Sequence, residues 1–170
     1  MTESERSIKK QFLEVFEQNV KIIIKVARAY TEVARDREDL INDIALELWK
    51  SFGRFREESK VSTWIYRVAL NTAMNFSRKN RRDRMFLFDG GKIPESLEWM
   101  VEQPEDSQTE LLYRCIEDLK PMNKAIVLLY LDGHSYEEIS GITGISKTNV
   151  GTRMMRIRDE LRNFVTNQQD

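Results

Sequence analysis

One histidine, His134, and one cysteine, Cys115, are all that the 170-residue chain offers for proton or thiol chemistry near neutral pH. It contains no HExxH, P-loop or GxSxG pattern, and no Cys/His cluster with metal-site spacing. An enzyme, a cofactor and a bound metal are therefore not expected, nor is a small-molecule substrate. The chain is instead rich in donors for phosphates and base edges. Lys147, Thr148, Asn149, Thr152, Arg153 and Arg156, with Gly151 and Met155 among them as candidate contact positions, crowd into ten positions near the C-terminus. On a helix whose N-terminal end enters the major groove, arginine can grip guanine and asparagine adenine. Arg67, Asn71, Asn75, Arg78 and Lys79 form a second group, spaced to make a ladder of donors along one helix face.

Those groups need helices to carry them. Glycine (7) and proline (3) are scarce and long periodic stretches contain neither, so an all-α fold is expected. Ile8, Phe12, Val15, Phe16, Val20, Ile23, Val26 and Ala27 predict a helix over about Glu5–Tyr30 with one apolar stripe. Asp36 reads as the N-cap of a second helix, about Arg37–Phe52. Leu40, Ile41, Ile44, Leu48 and Trp49 lie on its inner face, with Asp39, Asn42, Asp43, Glu47 and Lys50 opposite. A loop follows over Ser51–Ser62, then a helix over about Thr63–Arg82 that buries Trp64, Ile65, Val68, Ala69, Thr72 and Phe76.

Met85–Ser107 has Gly90-Gly91, Pro94, Pro104 and many acids, and reads as a linker. Two small helical domains are thus expected, 1–84 and 108–170, joined by an acidic stretch over 85–107. In the second, Leu111, Leu112, Cys115, Ile116 and Leu119 form one stripe, and Pro121 opens another helix that Gly133 ends. Ser135-Tyr-Glu-Glu138 matches a capping box. Ile139, Ser140, Gly144, Ile145 and Val150 then sit where a helix-turn-helix needs them. Ser140 lets the helices approach, Gly144 takes a left-handed turn, and Ile145 and Val150 fill the space between. Thr143 stands where an apolar residue is usual. Arg158 and Arg162 read as solvated or phosphate-facing, and His134 as a loop or packing residue.

The net charge of −1 conceals a pattern. Lys50–Arg84 holds ten Lys/Arg against three Asp/Glu, Met85–Glu138 four against twelve, and Ser146–Arg162 five against two. Two basic blocks on predicted helices favour a polyanionic partner. A single cysteine allows no internal disulfide, no apolar run can cross a bilayer, and Met1–Lys10 is too polar for a secretory signal. A cytoplasmic protein without membrane insertion is expected.

The upstream segments are more specific than the helix-turn-helix. Asp36-Arg-Glu-Asp-Leu-Ile-Asn-Asp-Ile-Ala-Leu-Glu-Leu-Trp49 resembles the polymerase-binding helix, in region 2, of extracytoplasmic-function (ECF) RNA polymerase sigma factors of the sigma-70 family. Phe55-Arg56 with Ser62-Thr-Trp-Ile-Tyr-Arg-Val-Ala-Leu-Asn-Thr-Ala-Met-Asn75 resembles that family's segment for −10 recognition and melting. Asp118-Leu-Lys-Pro121, Leu128-Leu-Tyr-Leu-Asp-Gly133, Ser135-Tyr-Glu-Glu-Ile139 and Val150-Gly-Thr-Arg153 resemble region 4, which reads the −35 element. The chain departs from the pattern at Asn42 (usually Gln), at Leu70 and Asn75 (often Arg and Asp), at Lys124 (often Arg) and at Gly151 (often basic or polar).

The resemblance implies a transcription-initiation subunit that binds core RNA polymerase and promoter DNA. Asp39, Leu40, Asn42, Asp43 and Glu47 would dock on the polymerase's largest subunit. Phe55, Arg56, Trp64, Arg67, Asn71, Asn75, Arg78 and Lys79 would serve the −10 element. Phe55 would stack on an extruded base and Asn71 would bond its edge, while Trp64 has two readings, core packing or a wedge at the melting fork. The residues from Lys147 to Arg156 named above would serve the −35 element. The resemblance also implies an anti-sigma partner, often membrane-anchored, and a linker threading toward the polymerase active site; a plain tether is the alternative. A stand-alone helix-turn-helix regulator is the competing function, and a decoy that binds partners without reading DNA a third.

Overall fold

The computed structural model describes residues 2–76 and 106–167, and within them the regular elements are seven helices with no strand. They are α1 (Glu3–Tyr30), α2 (Ala34–Phe52), α3 (Val61–Met74), α4 (Ser107–Glu117), α5 (Pro121–Leu131), α6 (Tyr136–Thr143) and α7 (Lys147–Asn167). They fall into two units. The described residues of the first are 2–27 and 33–76; the second has Arg28–Glu32 and 106–167.

In the first unit, Phe12, Phe16, Val20, Ile23, Val26 and Ala27 of α1 are all buried, as their three- and four-residue spacing requires. Ile8 is not part of that stripe, being 42 % exposed. Helix α2 starts before the expected cap. Val33 occupies the N-cap position without a side-chain bond, and Asp36 lies buried inside the first turn. Ala34 and Arg35 are strong helix formers, so the helix extends past Asp36, whose carboxylate still faces the positive end of the helix dipole. Leu40, Ile41, Ile44, Ala45 and Leu48 are buried on its inner face.

Helix α3 differs more from expectation. It opens at Val61 because the Lys60 carbonyl already accepts from Trp64 N–H at 3.1 Å, and it stops at Met74; the expected continuation over residues 77–82 lies outside the described residues. Asn75 terminates it, with its backbone N–H (3.3 Å) and its side-chain Nδ2 (2.9 Å) both donating to the Asn71 carbonyl. Its buried face is Trp64, Ile65, Tyr66, Ala69, Leu70 and Ala73, with Val68 and Thr72 only half-buried. The stripe is therefore rotated relative to the expected one. An aromatic chain runs through the unit. Phe12 meets Trp49 and Phe52 edge-on, with centroids 5.2 and 5.4 Å away. Phe52 lies 6.2 Å from Trp64, and Trp64 stacks on Phe55 at 4.7 Å.

In the second unit, Asp106 caps α4 by accepting from Thr109 N–H at 2.8 Å, and that bond holds its carboxyl below the usual range. It belongs to this helix, not to the expected linker. Helix α5 is apolar on most sides: Ala125, Ile126, Val127, Leu128 and Leu129 are all buried. It ends in a paired-bond turn in which Gly133, at φ +87°, donates to the Tyr130 carbonyl and His134 N–H to the Leu129 carbonyl. Ile116, Leu119, Ile139, Ile142, Val150, Met154 and Ile157 complete the core. Cys115 is buried among them, and burial pushes its thiol pKa up.

Candidate nucleic-acid interface

The helix-turn-helix is assembled from local bonds. Ser135 Oγ accepts from Glu138 N–H at 3.1 Å while Glu138 Oε2 accepts from Ser135 N–H at 2.7 Å, so the capping box over Ser135–Glu138 is complete and starts α6. Gly144 ends it in the left-handed region, at φ +81° and ψ 2°. Ser140 Oγ then donates to the Ile145 carbonyl at 2.6 Å, which ties α6 to the turn. Thr143, polar where an apolar residue is usual, turns its hydroxyl back to the Ile139 carbonyl at 2.7 Å, and neighbouring Ile142 fills the core. Ser146 opens α7 by accepting from Asn149 N–H at 3.1 Å.

Gly144→Val should weaken the second unit by about 1–2 kcal/mol, the cost of a left-handed conformation for an L-residue. No atom lies within 4 Å of the added Cβ, so the penalty is one of backbone conformation, not of a clash. Chemical denaturation of the full chain would test this, with Gly144→Asn losing less.

Helix α7 exposes Lys147, Thr148, Asn149, Thr152, Met155 and Arg156, while Val150, Met154 and Ile157 on its other side are buried. Two expected readers are placed differently. Gly151 has no side chain to read with and is half-buried, its Cβ direction facing the Tyr136 ring at 3.6 Å. Arg153 is also half-buried and donates to Asn149 Oδ1 (3.2 Å, from Nε) and to Asn123 Oδ1 (3.0 Å, from Nη1). Arg158 lies over the Tyr130 ring at 5.5 Å and donates to its hydroxyl at 3.1 Å. Asn123 was missed in the sequence. Its only signal there is a polar residue within an apolar helix.

In the first unit, Arg56, Arg67, Asn71 and Asn75 are exposed. Phe55 is half-buried, with one ring face on Trp64. Trp64 itself is 9 % exposed and packs between Phe52 and Phe55, which is its core-packing reading. The Nδ2 of Asn75 is already committed to the end of α3. Arg78 and Lys79 lie outside the described residues, as do Arg81, Arg82 and the acids Asp89, Glu95, Glu98, Glu102 and Glu105. On α2, Asp39, Asn42 and Asp43 are half-buried and Glu47 is exposed, with Lys50 Nζ 2.7 Å from its carboxylate. Leu40 is 0 % exposed, so it cannot meet a partner and instead supports this face from the core. No group of His, Cys, Asp or Glu among the described residues could hold a metal ion, and no described helix is long and apolar enough to cross a membrane.

These two units match the two halves of one class of protein. Residues 15–83 match the family model for Sigma-70 region 2, and residues 109–161 match that for Sigma-70, region 4. The chain is a sigma-70-type protein with both regions in order. It is 30 % identical over 146 residues to the ECF RNA polymerase sigma-E factor of Escherichia coli K12, covering 76 % of this chain and 74 % of that protein. The sigma-E factor of Haemophilus influenzae is 29 % identical over 145 residues, with 76 % and 75 % covered. The chain belongs to the ECF RNA polymerase sigma factors. Two solved structures share the fold. RpoE of Bartonella quintana, solved with the anti-sigma factor NepR, has a TM-score of 0.63 at 20 % identity, with 95 % of this chain and 98 % of that one covered. CnrH, solved with the cytosolic domain of CnrY, has a TM-score of 0.62 at 18 % identity, with 94 % and 90 % covered.

Proposed function

We propose that this chain directs core RNA polymerase to promoters, placing α7 in the major groove of the −35 element and the Phe55 loop with α3 at the −10 element. The observation that carries this is a fully capped helix-turn-helix that exposes Asn149, Thr152 and Arg156, in a chain that also matches region 2. Asp39, Asn42, Asp43 and Glu47 on α2 meet basic residues of the polymerase, and the surrounding apolar area supplies affinity. At the −10 element, one extruded base stacks on the outer face of Phe55 while Asn71 bonds its edge. Arg56 and Arg67 hold phosphates, a contribution that weakens with salt. The protein acts in the cytoplasm and catalyses no reaction of its own. The complexes solved for two similar folds, one of them with an anti-sigma factor, support a protein partner of that kind for this chain.

In vitro transcription of a fragmented genomic library, by core polymerase with and without this protein, tests the proposal. New transcripts sharing −35 and −10 motifs are expected. Arg156→Ala should then cost about tenfold at the −35 element and Asn71→Ala a similar factor at the −10 element, the order of one good base contact. Specific duplex binding without polymerase binding would instead make the chain a stand-alone regulator.

A further inference from the structure

Helix α7 carries two arginines three residues apart whose surroundings differ. Arg156 is exposed, whereas Arg153 reaches back to α5. Its partner there, Asn123, is 7 % exposed and sits beside the buried Ala125 and Ile126. A buried amide oxygen requires a donor, and the Arg153 Nη1 supplies a charge-assisted one at 3.0 Å. The same guanidinium donates from Nε to Asn149 Oδ1 at 3.2 Å. Because the guanidinium is planar and rigid, anchoring one edge on Asn123 fixes the direction of the other.

The consequence falls on Asn149, which is exposed on the outer face of α7. With one of the two Oδ1 lone pairs held by Arg153, its amide plane is set, and the Nδ2 protons are the fully unengaged end that faces an incoming base. Bidentate reading of adenine would place its N6–H donor on the remaining lone pair of the same oxygen, beside the donor and positive charge of Arg153, while nitrogen meets N7, so adenine is disfavoured. Guanine presents O6 and N7, and thymine O4, as acceptors, which a pair of Nδ2 protons satisfies.

We propose that Arg153 is a positioning residue, anchored on Asn123, that fixes Asn149 as a hydrogen-bond donor and so makes it select guanine or thymine over adenine. The inference rests on α7 reading the −35 element. It reverses the expectation that Arg153 reads a base and that asparagine on this helix reads adenine.

The test uses holoenzyme on a promoter recovered from the genomic library, with the −35 element randomised and the transcribed templates sequenced. Wild type should select guanine or thymine at one position, and Asn149→Ala should lose about tenfold discrimination there. Arg153→Met, which keeps the aliphatic stem, and Asn123→Ala should relax that same position and raise the share of adenine about tenfold. Other −35 positions should keep their preferences, which a general unfolding would erase. Asn123→Asp keeps an acceptor for Arg153 and should retain the wild-type preference. Adenine selected by wild type at the Asn149 position overturns the proposal. So does relaxation by Arg153→Met at a different position. If Arg156→Ala shifts one position and Asn149→Ala shifts none, this proposal fails alone. If neither shifts any, α7 does not read the element and the functional reading fails with it.

Discussion

Phe12→Ala is expected to destabilise the first unit by about 3–5 kcal/mol, the range for truncating a buried aromatic. A single domain is typically stable by only about 5–15 kcal/mol, so the variant should be close to unfolding in this unit. Phe12 is 2 % exposed and touches three other rings, Phe16, Trp49 and Phe52. Its removal leaves a cavity bounded by rigid rings, which cannot collapse into it, and forfeits edge-to-face contacts worth about 0.5–1.5 kcal/mol each. The loss should also reach the proposed −10 surface, because Phe52 joins Phe12 to Trp64, on which Phe55 rests. Denaturation of the full chain, followed by tryptophan fluorescence and by circular dichroism, would separate the two units. A shift confined to the transition reported by Trp49 and Trp64 is expected. A loss below about 1 kcal/mol would mean that the site relaxes and that the aromatic chain is not a structural relay.

Phe55→Ala should slow transcription from duplex promoters by roughly fivefold to a hundredfold, corresponding to about 1–3 kcal/mol for stacking on one base. The structure places Phe55 half-buried, parallel to within 26° of Trp64 at 4.7 Å, so one face is supported and the proposed base contact falls on the other. Opening the duplex is unfavourable, and on the proposed reading a base stacked on Phe55 offsets part of that cost. A template opened beforehand across the −10 element removes the cost, so the variant should approach wild-type activity on it. Phe55→Trp keeps a platform and should lose little on either template. Equal loss on duplex and pre-opened templates would show that Phe55 acts by seating the loop and not by receiving a base. Binding to the −35 element should be unchanged, since that surface belongs to the other unit.

Local devices were legible in the residues themselves. The capping box of Ser135 and Glu138 and the left-handed turns at Gly133 and Gly144 depend on bonds between residues a few positions apart. The α1 stripe from Phe12 to Ala27 likewise follows from helical periodicity alone. Asp36 was misplaced because an acid is favourable both at the N-cap and within the first turn, and local chemistry does not separate the two. The α3 stripe was misplaced because two adjacent stripes satisfy the same period: Tyr66, Leu70 and Ala73 on one, Val68 and Thr72 on the other. Only the neighbouring helices decide which faces inward.

The sequence by itself determined an all-helical chain, the order of its regions, two candidate DNA-binding surfaces and the turn that aims α7. Those features follow from periodicity, capping chemistry and the conformational freedom of glycine, which act within a few residues. Tertiary structure alone decided which side chains on those surfaces are available. Gly151 lies against Tyr136. Arg153 and Arg156 have the same chemistry on the same helix, yet Arg153 is held by Asn123, thirty residues away in the chain. Such assignments depend on contacts between distant segments, and the side chain's own identity carries no information about which partner will come within hydrogen-bonding distance.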